Sequence, residues 1–182
     1  MIAIGTGGLF SWYSYIAPLL TEVSGFQASS ITYILVIAGA GMMVGNFIGG
    51  KLADQFSPAK ATIALLIAMS LSLLVVHFVS GNQIMALVMT FVTGAIAFAA
   101  ASPIQMLMIN TAKGSEMLAA SVSQASFNIG NALGAFLGGL PLLAGYDYTS
   151  PVAVGSIMAL TGAAFAWVLI ARTSRTGKLS YA

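Results

Sequence analysis

Five side chains set in otherwise apolar stretches have the chemistry to hold a small solute: Trp12, Tyr15, Gln105, Gln124 and Asn128. Indole and phenol rings offer flat apolar area with one polar edge, and a carboxamide offers both donor and acceptor. Trp12 and Tyr15 are three residues apart, so on a helix they share a face. Gln124, Asn128 and Asn131 follow i, i+4, i+7 and share another. An unpaired amide in hydrocarbon costs roughly several kcal/mol, so each of these needs a helix partner or a wet cavity. Asn131 suits a helix–helix hydrogen bond better than Gln124 or Asn128, which with Gln105 are the cavity candidates. This is the chemistry of binding rather than of bond-making. The chain has no cysteine, no HExxH, no metal-ligand cluster and no nucleophile–base pair. No catalytic residue, metal, cofactor or nucleic-acid partner is therefore expected. The one histidine, His77, falls near the end of an apolar stretch and reads as interfacial rather than as a proton site.

The elements that must position these groups are membrane helices. Of 182 residues, 59% are hydrophobic and only 5% are charged. A soluble domain carries roughly 25% charged residues, and so few charges cannot cover a soluble surface. An integral membrane protein follows, with the lipid bilayer as its first partner. The opening residues have no basic region or convincing cleavage site, so they read as a span beginning almost at Met1 rather than as a signal peptide. That start hints at further sequence upstream. Six apolar stretches can be marked, at about 2–20, 30–52, 61–79, 84–111, 118–144 and 151–171. No Asp, Glu, Lys or Arg lies within their interiors, so the usual intramembrane proton relay has no evident member here. Pro18 and Pro103 are expected to bend their helices, and Pro151 suits a first helical turn.

Glycine spacing says how the spans pack. Gly41, Gly45, Gly49 and Ala53 recur every fourth residue, as do Ser126, Gly130, Gly134 and Gly138. Such small faces let helix backbones approach closely in lipid. Substituting leucine at Gly45 or Gly130 is expected to damage folding, whereas Val76 reads as an exposed position that tolerates leucine. The two stretches also match at an offset of 85 residues, Gly45 to Gly130, Asn46 to Asn131 and Gly49 to Gly134, with Pro18 to Pro103 following the same offset. An internal duplication is the simplest source, with repeats at about 1–80 and 84–171 and a tail at 172–182. Three spans per repeat is an odd number, so the second copy must be inverted relative to the first. The expected fold is thus all-α, six transmembrane helices in two inverted three-helix repeats, forming a single domain.

Charge placement gives the orientation. Lys51, Lys60, Lys113, Arg172, Arg175 and Lys178 fall at the second and fourth loops and the tail, whereas the odd-numbered loops carry Glu22 and Asp147 and no Lys or Arg. Both termini are therefore expected in the cytoplasm.

The Gly50-Lys51-Leu52-Ala53-Asp54-Gln55 stretch resembles the loop 2–3 signature of the major facilitator superfamily, with Gly50, Leu52 and Asp54 at its matching positions. Gln55 stands where that signature has a basic residue, and Ser57-Pro58 replaces its glycine region. Phe10-Ser-Trp-Tyr-Ser-Tyr-Ile-Ala-Pro18, Ser24-Gly25-Phe26, Ala101-Ser-Pro-Ile-Gln105, Asn110-Thr-Ala-Lys-Gly114 and Phe127-Asn-Ile-Gly130 are similar to bacterial arabinose-efflux-permease-like members, in the drug:proton antiporter group. The resemblance covers nearly the whole chain and corresponds to the C-terminal six helices of a twelve-helix transporter. It implies an inner-membrane exporter of a small organic solute such as a sugar or drug, working by alternating access with a second six-helix half. It places the first and fourth stretches at the central cavity. Proton coupling would fall to a group in the other half. Asp54 reads either as a solvated interfacial carboxylate or, by the resemblance, as a charge latch, with Lys113 as the partner to test. The alternatives are a channel, against which the lack of Asn-Pro-Ala motifs counts, and a non-transporting or regulatory protein that self-associates through its glycine faces.

Overall fold

The computed structural model describes residues 1–112 and 114–175, with side chains through Arg172. Lys113 and Lys178 lie outside the described residues, as does the side chain of Arg175. The described chain is helical throughout its regular structure: α1 (Ile2–Tyr13), α2 (Ile16–Pro18), a π-helical turn (Leu19–Val23), a 3₁₀ turn (Ala28–Ser30), α3 (Ile31–Gln55), α4 (Pro58–Val79), α5 (Gln83–Thr111), α6 (Glu116–Leu143) and α7 (Ser150–Arg175). The last five are long and apolar enough to cross a membrane. The chain is a multi-pass membrane protein.

The helix ends follow from local chemistry. Pro58 sits in the first turn of α4, where its missing N–H is no loss. The Asn82 Oδ1 accepts the Met85 N–H at 3.1 Å and caps α5. Gly145, at φ 86°, turns the chain after α6 in a conformation that side chains resist. Pro103 lies inside α5 without ending it.

The stretch expected as the first continuous span is broken. After Tyr13 the chain leaves the helix: Tyr15 takes φ −114° and ψ 15°, and its N–H bonds Trp12 O at 3.1 Å. Pro18 has no N–H to return to the Ser14 carbonyl, four residues back, so one α-helical bond is missing here. The π turn follows, closed by Ser24 N–H on Leu19 O at 3.2 Å.

The glycine faces lie against backbone. A methyl group at Gly41, Gly45 or Gly49 would run into the carbonyl oxygens of Phe91, Ala95 and Ala99, so α3 rests on α5 with almost nothing between. On the other side, Gly130, Gly134 and Gly138 meet Ala3, Gly7 and Ser11 of α1. Contacting residues rise in number together in both pairs, so each pair is parallel. A third glycine seam joins α1 to α7. Gly8 faces Gly155, where an added Cβ would sit 2.5 Å from the facing carbonyl oxygen, and Gly5 faces Gly162. Here the numbers run in opposite directions, and the pair is antiparallel. The α1 and α7 glycines have the same small-residue signal in sequence (Gly5, Gly8; Gly155, Ala159, Gly162) and were not among the expected packing positions.

Buried hydroxyls complete the packing. Ser70 Oγ donates to Ser156 O at 2.9 Å, and Ser156 Oγ donates to Ser70 O at 2.8 Å, a reciprocal clasp between α4 and α7. Ser72 and Thr93 hydroxyls meet at 2.6 Å between α4 and α5. Val76, expected to be exposed, is instead buried in the main apolar cluster with Leu73 and Met69. The third stretch is apolar all round, so its sequence does not tell a lipid-facing valine from a core one.

Candidate functional site

A cavity of about 300 Å³ lies between α1, α4, α5 and α6. Leu9 and Phe10 of α1, Leu66 and Met69 of α4 and Phe98 of α5 supply apolar walls. Its polar groups are the Thr6 hydroxyl and three carboxamides, Gln105 from α5 and Gln124 and Asn131 from α6. Helix geometry sets the α6 stripe: Gln124, Phe127 and Asn131 fall at i, i+3, i+7 and so share one side. The glycine face of α6 is turned to α1, which leaves this stripe for the cavity. On α5, Phe98, Ala101 and Gln105 form the matching stripe. Thr6 Oγ1 donates to Ile2 O at 2.9 Å. None of the three carboxamides is hydrogen-bonded to another described residue. Among the described residues no ionisable side chain lines the cavity.

Of the residues expected at a cavity, Gln105 and Gln124 are brought together there. The other three stand elsewhere. Trp12 is 1% exposed and belongs to the apolar core with Leu9, Ile16 and Leu73. Tyr15 reaches across to α6, where its hydroxyl donates to Ala135 O at 2.8 Å and would clash with any Cβ at Gly139. The break after Tyr13 turns it that way, so three-residue spacing on an ideal helix does not describe its direction. Asn128 is exposed and outside the cavity lining, while Asn131, read as a helix–helix bonder, is inside it. A stripe at i, i+4, i+7 spans enough of a turn that the middle member leaves the line joining the outer two. Phe10, Phe98 and Phe127 carried no signal beyond apolarity that would single them out.

At the end of α3, Asp54 is exposed, Leu52 is half-buried and a Cβ at Gly50 would meet nothing. Gly50 is thus not a packing glycine within this chain. The expected latch partner of Asp54, Lys113, is outside the described residues. At the opposite end of α4, His77 Nδ1 lies 3.0 Å from Thr149 O. A carbonyl only accepts, so that nitrogen carries the hydrogen. Asp147 beside it accepts from the Thr149 hydroxyl at 2.6 Å and from the Thr149 N–H at 3.0 Å. The hydroxyl bond above all, with the backbone N–H and the charge of His77 adding to it, holds the Asp147 carboxyl below its ordinary range.

The cavity thus lies among close-packed, glycine-seamed helices, with amide and aromatic groups and no ionisable side chain among its described lining residues. The family model described as Major Facilitator Superfamily matches residues 1–181. The chain is 35% identical over 160 residues to a putative transporter, AraJ, of Escherichia coli strain K12, covering 86% of this chain and 41% of that protein. It is 36% identical over 156 residues to the inner membrane transport protein YdhP of the same strain, covering 86% and 40%. A chloramphenicol resistance protein of Streptomyces lividans is 28% identical over 137 residues, covering 72% and 33%. The chain thus spans about two fifths of the length of the first two relatives. No solved structure matches it. With the family model matching almost end to end, and relatives above 30% identity over most of its length, the chain is no enzyme and belongs to the Major Facilitator Superfamily.

Proposed function

We propose that this chain is the C-terminal half of an exporter that carries a small organic solute, such as a sugar or drug, across the inner membrane. The observation that carries the reading is the cavity with three unpaired carboxamides, Gln105, Gln124 and Asn131. Gln105 and Gln124 are exposed in the chain taken alone, and amides facing hydrocarbon would each be unfavourable by roughly several kcal/mol. A second six-helix half covers them. Relatives more than twice as long leave room for such a half. It is also where the proton-coupling group lies.

The inverted repeat belongs to the same proposal. Repeat A is α1, α3 and α4, with the broken segment Ile2–Val23 serving as its first span. Repeat B is α5, α6 and α7. Exchanging the repeats converts the α3–α5 contact into the α6–α1 contact. The glycines then correspond at an offset of 89 residues (Gly41 to Gly130, Gly45 to Gly134, Gly49 to Gly138), and their partners at 88 (Ala3 to Phe91, Gly7 to Ala95, Ser11 to Ala99). This is about one turn beyond the offset of 85 read from sequence. The Ser70–Ser156 clasp, in which each residue does to the other what is done to it, fits the pseudo-two-fold axis. Alternating access is rocking of the two halves about the shared cavity. Self-association through the glycine faces is not an available alternative, because both faces are occupied within the chain.

The test is efflux. Cells and proteoliposomes carrying the chain, alone and co-produced with a six-helix N-terminal half from a relative, are loaded with radiolabelled arabinose or chloramphenicol. Export that needs both halves and falls at least about tenfold in the Gln105→Leu, Gln124→Leu variant is the expected result. Export unchanged by those substitutions refutes the assigned cavity.

A further inference from the structure

We infer that the subsite in this chain receives the uncharged, hydrogen-bonding part of an aromatic or apolar solute and rejects cations and anions alike. The inference rests on the transport reading and names the class of substrate. Its first ground is the lack of any Asp, Glu, Lys, Arg or His among the described lining residues. A charged group seated against this wall would give up water and find no counter-charge among the described residues of this chain. Its second ground is the three carboxamides, which come from two helices and make no hydrogen bond to any described residue. Each presents an acceptor oxygen and two donor hydrogens, so the complementary ligand group itself both donates and accepts, as an amide or hydroxyl does. The third ground is the division of the cavity along its length. Gln105 and Gln124 sit in the portions of α5 and α6 nearest the loop that joins them. Phe98, Phe127 and Asn131 follow deeper, the outer residues of each stripe spaced by about 10 Å at the helical rise of about 1.5 Å per residue. With Phe10 on the facing wall, a ligand would meet an amide pair first and aromatic surface beyond it. A volume of about 300 Å³ accommodates a substituted arene with one or two polar groups.

The cysteine-free chain permits a direct measurement. A single cysteine is placed in the cavity by Ala101→Cys and, as a reference, at the open loop position Gly81→Cys. Each full-length purified variant is modified with three reagents of the same chemistry: methyl methanethiosulfonate (neutral), its sulfonatoethyl analogue (anionic) and its trimethylammonioethyl analogue (cationic). At Ala101→Cys both charged reagents should be slowed relative to the neutral one by at least about tenfold more than at Gly81→Cys. Millimolar 4-nitrobenzamide should protect the cavity thiol, 4-nitrobenzoate should not, and protection should vanish with Gln105→Leu and Gln124→Leu. Equal charge ratios at the two positions, protection by the benzoate, no protection by the amide, or protection that survives both leucines would each overturn the inference. Charge discrimination with amide protection but no solute flux in proteoliposomes would instead count against export and leave the binding class standing.

Discussion

Ser11 and Thr62 are both small hydroxyl residues with no exposed surface, yet they stand in opposite energetic positions. Ser11 Oγ donates to Pro151 O at 2.6 Å and ties α1 to the start of α7. Thr62 Oγ1 is buried with no partner among the described residues, as is Ser123 Oγ. A satisfied buried hydrogen bond contributes about 1 kcal/mol net, whereas an unmade one costs a similar amount. Ser11→Ala should therefore destabilise by about 1–2 kcal/mol, and the near-isosteric Thr62→Val should be neutral or stabilising by up to about 1 kcal/mol. Thermal unfolding of the two variants in one detergent compares them directly; equal losses would contradict the assignment. Asp147 gives a pH test. Its carboxyl is held low by the Thr149 hydroxyl, so the folded state favours the ionised form. The associated stability is present above the ordinary carboxylate range and is lost as pH falls through the lowered folded value. Asp147→Asn should flatten that acid limb and leave stability above about pH 6 little changed beyond a constant offset. The site is exposed, so the effect is small, and a scan of melting temperature from pH 3 to 7 measures it. An unchanged acid limb in the variant would rule the contribution out.

At the scale of elements, each helix is fixed by the face it gives away. α3 buries Ile34, Ala38, Gly41, Gly45, Gly49 and Ala53, a single stripe, and leaves Tyr33, Phe47 and Val36 exposed for lipid. No hydrophobic drive pulls that stripe inward from hydrocarbon, so the stripe works by closeness: the α5 carbonyls lie where a side chain would be. Gly45→Leu and Gly134→Leu should each cost at least about 1–3 kcal/mol through overpacking. Gly39→Leu on the same α3 helix as Gly45 should not, because nothing lies within 4 Å of a Cβ there. Detergent stability of the three proteins decides it, and equal behaviour of Gly39→Leu and Gly45→Leu would count against the seam. The broken first segment obeys a different rule. Its lost helical bonds are tolerable because Tyr15 and Ser11 anchor it to α6 and α7 from within the bundle.

For the whole molecule, the parallel α1–α6 and α3–α5 seams and the antiparallel α1–α7 seam fit one alternating set of crossings. That set puts Lys51, near the end of α3, and Lys60, at the start of α4, at the same end as Arg172 near the end of α7, and places Asp147 and Glu22 at the other. Single cysteines at Lys60 and Asp147 should label from opposite sides of sealed vesicles, with Lys60 facing the cytoplasm; labelling of both from one side would break the proposed six-crossing topology. The exposed amides carry an assembly prediction too. A purified well-folded form should be a complex with a second half or with a copy of itself, by protein mass in detergent. A stable monomer indifferent to Gln105→Leu and Asn128→Leu would refute a covered face.

Composition alone determined the membrane, because ten charges cannot solvate a chain of this length. Four-residue glycine spacing determined which sides of α3 and α6 pack, because a helix turns every 3.6 residues whatever surrounds it. The sequence also singled out Gln105 and Gln124, since an amide within an apolar run is conspicuous by its cost. Tertiary structure alone decided where the aromatic residues go. Trp12 in the core and Phe10 at the cavity differ by only two positions on one helix, and both are simply apolar until neighbours are chosen. It also decided that Val76 is inside, that Tyr15 turns to α6, and that Asn131 rather than Asn128 meets the cavity. In lipid the two sides of an apolar helix are equally at home, so only the shape of the facing helix distinguishes them.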